Sequence, residues 1–150
     1  MKTLLSIAFV LSFSTALSQS LEQVRVTYFD VAAGEAEISD LLEATKDNDD
    51  VIIKGYYGAV LAMSAEETSN PLSKLKRFNE GKGIIESCIE ERPESIDLRF
   101  LRYALQRETP SFLGYSEDLE KDKTFLEQTI DKESDMTFRE NVKAYLKQKN

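Results

Sequence analysis

The chain has 150 residues, with 27 acidic against 19 basic side chains, a net charge of −8, no histidine and one cysteine, Cys88. An acidic balance of this kind disfavours DNA, RNA and anionic lipid surfaces as partners. Without histidine, serine–histidine and cysteine–histidine nucleophilic systems have no base, zinc sites of the usual types lack their ligands, and a lone cysteine closes no internal disulfide.

Residues 1–18 read as a secretory signal. Lys2 supplies a positive start, Leu4 to Leu17 form an apolar run, and Ala16, Leu17 and Ser18 make a small-residue exit. The run is shorter than the ~20 apolar residues of a membrane-spanning helix, and Gln19, Ser20 and Glu22 do not prolong it. Cleavage near Ser18 is expected to deliver residues 19–150 to the periplasm or the extracellular space as a single domain with no membrane span. Lys2 is the only base lost with the leader, so the mature charge is −9. Cys88 lies far from the cleavage point, so no lipid anchor is implied.

The mature chain is poor in Pro and Gly, and apolar residues recur every three or four positions, which predicts an all-α fold of six to seven helices. The first spans Leu21 to Ala33 with Leu21, Val24, Tyr28 and Val31 inward, and Gly34 ends it. The second covers Glu35 to Lys46 with Ile38, Leu41 and Leu42 buried, and the polar run Asp47 to Asp50 turns the chain. The third, Val51 to Glu66, carries the seam Ile52, Gly55, Tyr56, Ala59, Val60 and Met63. Asn70 caps the fourth and Pro71 opens it. Its expected core positions are Leu72, Leu75, Phe78, Ile85, Cys88 and Ile89. Gly81 and Gly83 each cost up to about 1 kcal/mol in helix propensity relative to Ala, so close contact with Gly55 and Ala59 is expected to compensate.

Pro93 stops the fourth helix and Ser95 caps a fifth over Ile96 to Gln106, with Ile96, Phe100, Leu101, Ala104 and Leu105 inward. Thr109 to Tyr115 lacks helical periodicity and reads as a packed loop. Ser116 is expected to cap a sixth helix using Leu119, Phe125, Leu126 and Ile130. A seventh begins near Ser134 and buries Phe138, Val142, Tyr145 and Leu146. Short connections make successive helices antiparallel hairpins, stacked either as a compact bundle or as a short right-handed superhelix.

In the fourth helix a small residue, another seven later and a proline five beyond that are Gly81, Cys88 and Pro93. Over about one helix this resembles the second half of a tetratricopeptide repeat, although Ile85 stands where the repeat carries a large aromatic. The resemblance implies a helical scaffold that binds a peptide or protein on a concave face and has no activity of its own.

Candidate site residues come from a charge asymmetry. Residues 74–107 hold eight bases against six acids, whereas the rest of the mature chain is at −11. Arg99, Arg102 and Gln106 share one face of the fifth helix, with Tyr103 beside them. Two readings apply: a ligand face taking a carboxylate-bearing peptide, or internal pairing with the surplus acids. Phe112, Leu113 and Tyr115 read either as the rim of a binding groove or as a hydrophobic plug over the core. No motif calls for a cofactor. The clusters Asp47, Asp49, Asp50 and Glu117, Asp118, Glu120, Asp122 lack the twelve-residue calcium loop pattern and read as a turn and a dipole-matched helix start. The expected role is non-catalytic binding of an envelope protein or peptide segment. A small carboxylate-dependent cell-wall hydrolase and a purely structural subunit are the alternatives.

Overall fold

The computed structural model describes residues 20–148, so the expected signal at residues 1–18 lies outside the described residues. Those residues contain seven α-helices and no strand: α1 Leu21–Ala33, α2 Ile38–Thr45, α3 Val51–Met63, α4 Pro71–Glu91, α5 Ile96–Glu108, α6 Leu119–Thr129 and α7 Met136–Lys147. Short 3₁₀ turns lie at Ser64–Glu67, Ser111–Leu113 and Ile130–Lys132.

Local chemistry sets most of the boundaries. The Ser20 hydroxyl accepts from the Gln23 N–H while the Gln23 side chain accepts from the Ser20 N–H, a reciprocal cap on α1. Gly34 ends that helix at φ 76°, a left-handed conformation in which a side chain would be strained. The Asp50 carboxylate accepts from the Ile52 and Ile53 N–H groups, so part of the acidic turn caps α3. The Asn70 side chain accepts from Leu72 and Ser73, with Pro71 in the first helical position.

Two starts differ from the sequence expectation. α2 begins at Ile38 rather than Glu35 and has no side-chain cap. α6 begins at Leu119, and Ser116 does not cap it. Asp118 occupies the N-cap without a capping bond, because its carboxylate faces Arg102 at 3.2 Å and Lys121 at 3.4 Å.

α3 and α4 form the closest helix pair. Along α4, Lys74, Arg77 and Gly81 meet Glu66, Ser64 and Ala62 in falling order, so the two run antiparallel. A Cβ on Gly81 would overlap the Gly58 carbonyl oxygen and the Ala62 backbone. The expected close glycine contact therefore exists, but one turn further along α3 than predicted: Gly81 meets Gly58 and Ala62, while Gly55 accommodates Leu98 of α5. Gly83 has nothing within 4 Å of where its Cβ would be.

The core is centred on α3 and α5, where Tyr56, Phe100, Leu98, Leu101 and Val60 are at or below 1 % exposure. Edge-to-face rings tie the outer helices to it: Tyr28 to Tyr56 at 5.4 Å, Phe100 to Phe138 at 6.0 Å and Phe100 to Tyr145 at 5.5 Å. Phe29 of α1 and Phe138 of α7 also meet, at 6.3 Å. The first and last helices thus touch, and the hairpins close into a bundle; in an open superhelix each repeat would contact only its neighbours.

Leu72 and Leu75 are corrected from core to surface, at 79 % and 46 % exposure. Each three-residue step falls about 60° short of a full turn. The series Phe78, Leu75, Leu72 therefore winds away from the buried stripe of Gly81, Ile85, Cys88 and Ile89. No residue from Pro71 to Glu80 is fully buried, so the first half of α4 presents a long open face.

Candidate functional site

The Arg99–Gln106 face is not open. Arg99, Arg102, Tyr103 and Gln106 are all at 7 % exposure or below, because α6 lies across that side of α5. Asp122 of α6 is 0 % exposed and takes two parallel N–H groups of Arg102, Nε at 2.6 Å and Nη2 at 2.9 Å. Arg102 Nη1 reaches on to Glu86 of α4 at 2.9 Å. Arg99 Nε lies 2.5 Å from Asp122 Oδ1 without the alignment of a hydrogen bond, so that contact is charge attraction alone. The Arg99 guanidinium also stacks 4.6 Å over the Phe125 ring. Tyr103 sits edge-on to Tyr145 at 6.1 Å.

A second buried cluster, absent from the sequence reading, joins α1 to α5 and α7. Arg25 of α1 binds Asp97 of α5 through Nε at 2.8 Å and Nη2 at 2.7 Å, and Tyr56 of α3 donates its hydroxyl to the same carboxylate at 2.8 Å. Glu133 and Asp135 approach Arg25 at 3.1 Å each, and Phe138 lies 4.1 Å beneath it. Burial alone would lower the Arg25 pKa, but Asp97 and Asp135 outweigh it and hold it above the ordinary value. Burial and the Asp97 charge push the Tyr56 hydroxyl well above the usual tyrosine range. Burial opposes ionisation of Glu133 and Asp135, yet backbone N–H groups and Arg25 hold both below ordinary carboxyl values. Arg25, Asp97 and Asp122 all occupy apolar-stripe positions in the sequence, as in Leu119, Asp122, Leu126. That spacing is the signal by which they are recognisable.

The Thr109–Tyr115 segment divides in two. Tyr115 is buried at 6 % and acts as the plug, donating its hydroxyl to Glu86 at 2.5 Å, standing edge-on to Phe78 at 6.0 Å and carrying Lys82 over its ring at 4.3 Å. Burial and the Glu86 carboxylate push its pKa up. Phe112 and Leu113 sit on the preceding 3₁₀ turn at 84 % and 38 % exposure. Gly114 closes that turn at φ 64°. The turn thus holds an aromatic ring in water, three residues before the Tyr115 contact with α4.

Towards the C-terminal ends of α1, α3, α5 and α7, Tyr28, Phe29, Ala59, Met63, Ala104 and Tyr145 line an apolar cleft of about 470 Å³. Its rim carboxylate, Glu108, accepts the Tyr145 hydroxyl at 2.8 Å.

The chain matches no family model, no curated protein and no solved structure. Among the described residues no helix is long and apolar enough to cross a membrane.

Proposed function

We propose that the protein is an exported, non-catalytic helical scaffold of the cell envelope that binds a protein or peptide segment through the Phe112–Leu113 turn and the exposed Leu75 edge of α4. The observation that carries this reading is Phe112, a large ring at 84 % exposure on a turn pinned by Gly114 and Tyr115. An aromatic ordered in water loses little further conformational freedom on binding, which suits an interface anchor. Lys82, stacked on Tyr115, adds a cation beside the apolar edge, so an apolar segment bearing carboxylates fits best.

Neither carboxylate that flanks Arg25 on the α7 side suits the acid of a glycosidase. A glycosidase acid needs a carboxyl held protonated near neutrality, whereas Glu133 and Asp135 are shifted towards the ionised form. The test replaces Phe112 with Asp and Leu75 with Glu, alone and together. Affinity capture from an envelope extract, compared by mass spectrometry, should lose a specific partner with these variants while the melting temperature stays within a few degrees. Capture that is indifferent to both substitutions removes the surface from consideration, and a clearing band on a peptidoglycan zymogram returns the protein to the hydrolases.

A further inference from the structure

The outer face of α4 carries side chains that nothing among the described residues uses. Lys76, Asn79, Gly83, Ser87 and Glu90 are all exposed. Lys76, Asn79, Ser87 and Glu90 make no side-chain hydrogen bond or ion pair among the described residues. Steps of seven residues nearly complete two helical turns, so Lys76, Gly83 and Glu90 share one line along the helix, each charge about 10 Å from the glycine. Asn79 and Ser87 flank Gly83 at four residues on either side. The face is therefore positive at one end, negative at the other and smallest in the middle. Glycine's entropic cost within a helix is borne at Gly83 with no neighbour among the described residues that requires it.

We infer that this face is a homodimer contact in which α4 crosses α4 of a second copy antiparallel, with the two-fold axis at Gly83. That symmetry sets Gly83 against Gly83 of the second copy, Lys76 against its Glu90, Glu90 against its Lys76, and Asn79 against its Ser87. The axis makes the same patch complementary to itself, as an isologous contact requires. A parallel crossing would oppose like charges at both ends. Leu72, 79 % exposed near the start of α4, then lands over the turn around Pro93 of the second copy and loses water. A bilayer gains nothing from a missing Cβ at Gly83 and is repelled by Glu90, whereas a second helix uses both. The contact uses residues other than those of the Phe112 surface and does not depend on it. One helix face is smaller than the roughly 800 Å² per partner of a standard stable interface, so the dimer is weak and concentration-dependent.

Sedimentation velocity over a concentration series tests this, with circular dichroism confirming that each variant is folded. Wild type should pass from monomer to dimer as concentration rises. Lys76→Glu and Glu90→Lys should each weaken association about tenfold by turning both ion pairs repulsive. An equimolar mixture of these two variants should form a heterodimer, and the double variant Lys76→Glu/Glu90→Lys should recover the homodimer. Gly83→Leu should remain monomeric. Monomer throughout the wild-type series, association indifferent to the single reversals, or a mixture that fails to recover overturns the proposal. Binding of anionic vesicles that Gly83→Leu leaves intact gives the face a different occupant and does the same.

Discussion

Arg102 grips Asp122 through Nε and Nη2, at 2.6 and 2.9 Å, around a carboxylate wholly removed from water. Two helices with few aromatics between them are thereby clasped by charge, and the clasp extends to α4 through Glu86. A bidentate pair fixes the relative rotation of the helices as well as their separation. Its contribution appears when one partner is removed and the other stays buried without compensation.

Asp122→Ala should accordingly destabilise the fold by about 3–5 kcal/mol, since it strands Arg99 beneath α6 and leaves Arg102 only Glu86 and Asp118. Thermal melts followed by circular dichroism should show the midpoint falling by on the order of 10 °C or more. Arg102→Ala should behave alike. A shift of only a degree or two in both would show that the pair is solvated and would reopen this side of α5 as a binding face.

Tyr56→Phe removes one hydroxyl and leaves the ring packing in place. Because that hydroxyl donates to the buried Asp97 carboxylate at 2.8 Å, the loss should be about 1.5–3 kcal/mol, the range for hydrogen bonds to charged groups. Denaturant unfolding should move its midpoint without changing the slope. Adding Arg25→Ala should cost less than the two single changes summed, because both act on one carboxylate.

Stability should fall at both ends of the pH scale. Glu133 and Asp135 have folded pKa values below their ordinary 4.5 and 3.8, so their contribution is present above those values and lost as pH falls through the lowered ones. Tyr56, Tyr115 and Tyr145 are raised above 10.0, first by burial and then by the carboxylates beside them, so they favour the fold below that pH and cease to as pH rises through the folded values. Melting temperature against pH should be level near neutrality, and the acid limb should flatten in Glu133→Gln/Asp135→Asn. An unchanged acid limb in that variant would assign acid unfolding to other carboxylates.

The two glycines of α4 should respond with opposite sign. Gly81→Ala places a methyl against the Gly58 carbonyl and Ala62 backbone and should destabilise, by about 1–3 kcal/mol for an overpacked contact. Gly83→Ala meets nothing within 4 Å and should stabilise dilute, monomeric protein by up to about 1 kcal/mol. Melts of both variants at low concentration decide it; equal signs would contradict the packing of α3 on α4.

By itself the sequence determined the helical class and most element limits. A reciprocal cap at Ser20 and Gln23, a positive-φ glycine at Gly34, Asn70 before Pro71, and apolar spacing of three and four act over a few residues, and their energies do not depend on what packs where. The core stripes of α3, α5 and α7 were legible for the same reason. Only the tertiary structure decided which surface each charge meets. Arg99 and Arg102 sit opposite the apolar stripe of α5, and nothing local says that α6 will cover them; that depends on Asp122, twenty residues beyond Arg102, being carried inward on its own helix. In the same way the Gly81 contact was foreseeable in kind but not in partner, since Gly55 and Gly58 stand about 60° apart around α3 and only the packing of α4 and α5 decides which glycine faces which helix. Leu72, Leu75 and Phe112 are apolar in any reading of the chain. Leu72 and Leu75 are exposed because their series winds off the buried stripe of α4, and Phe112 because it stands on the turn after α5.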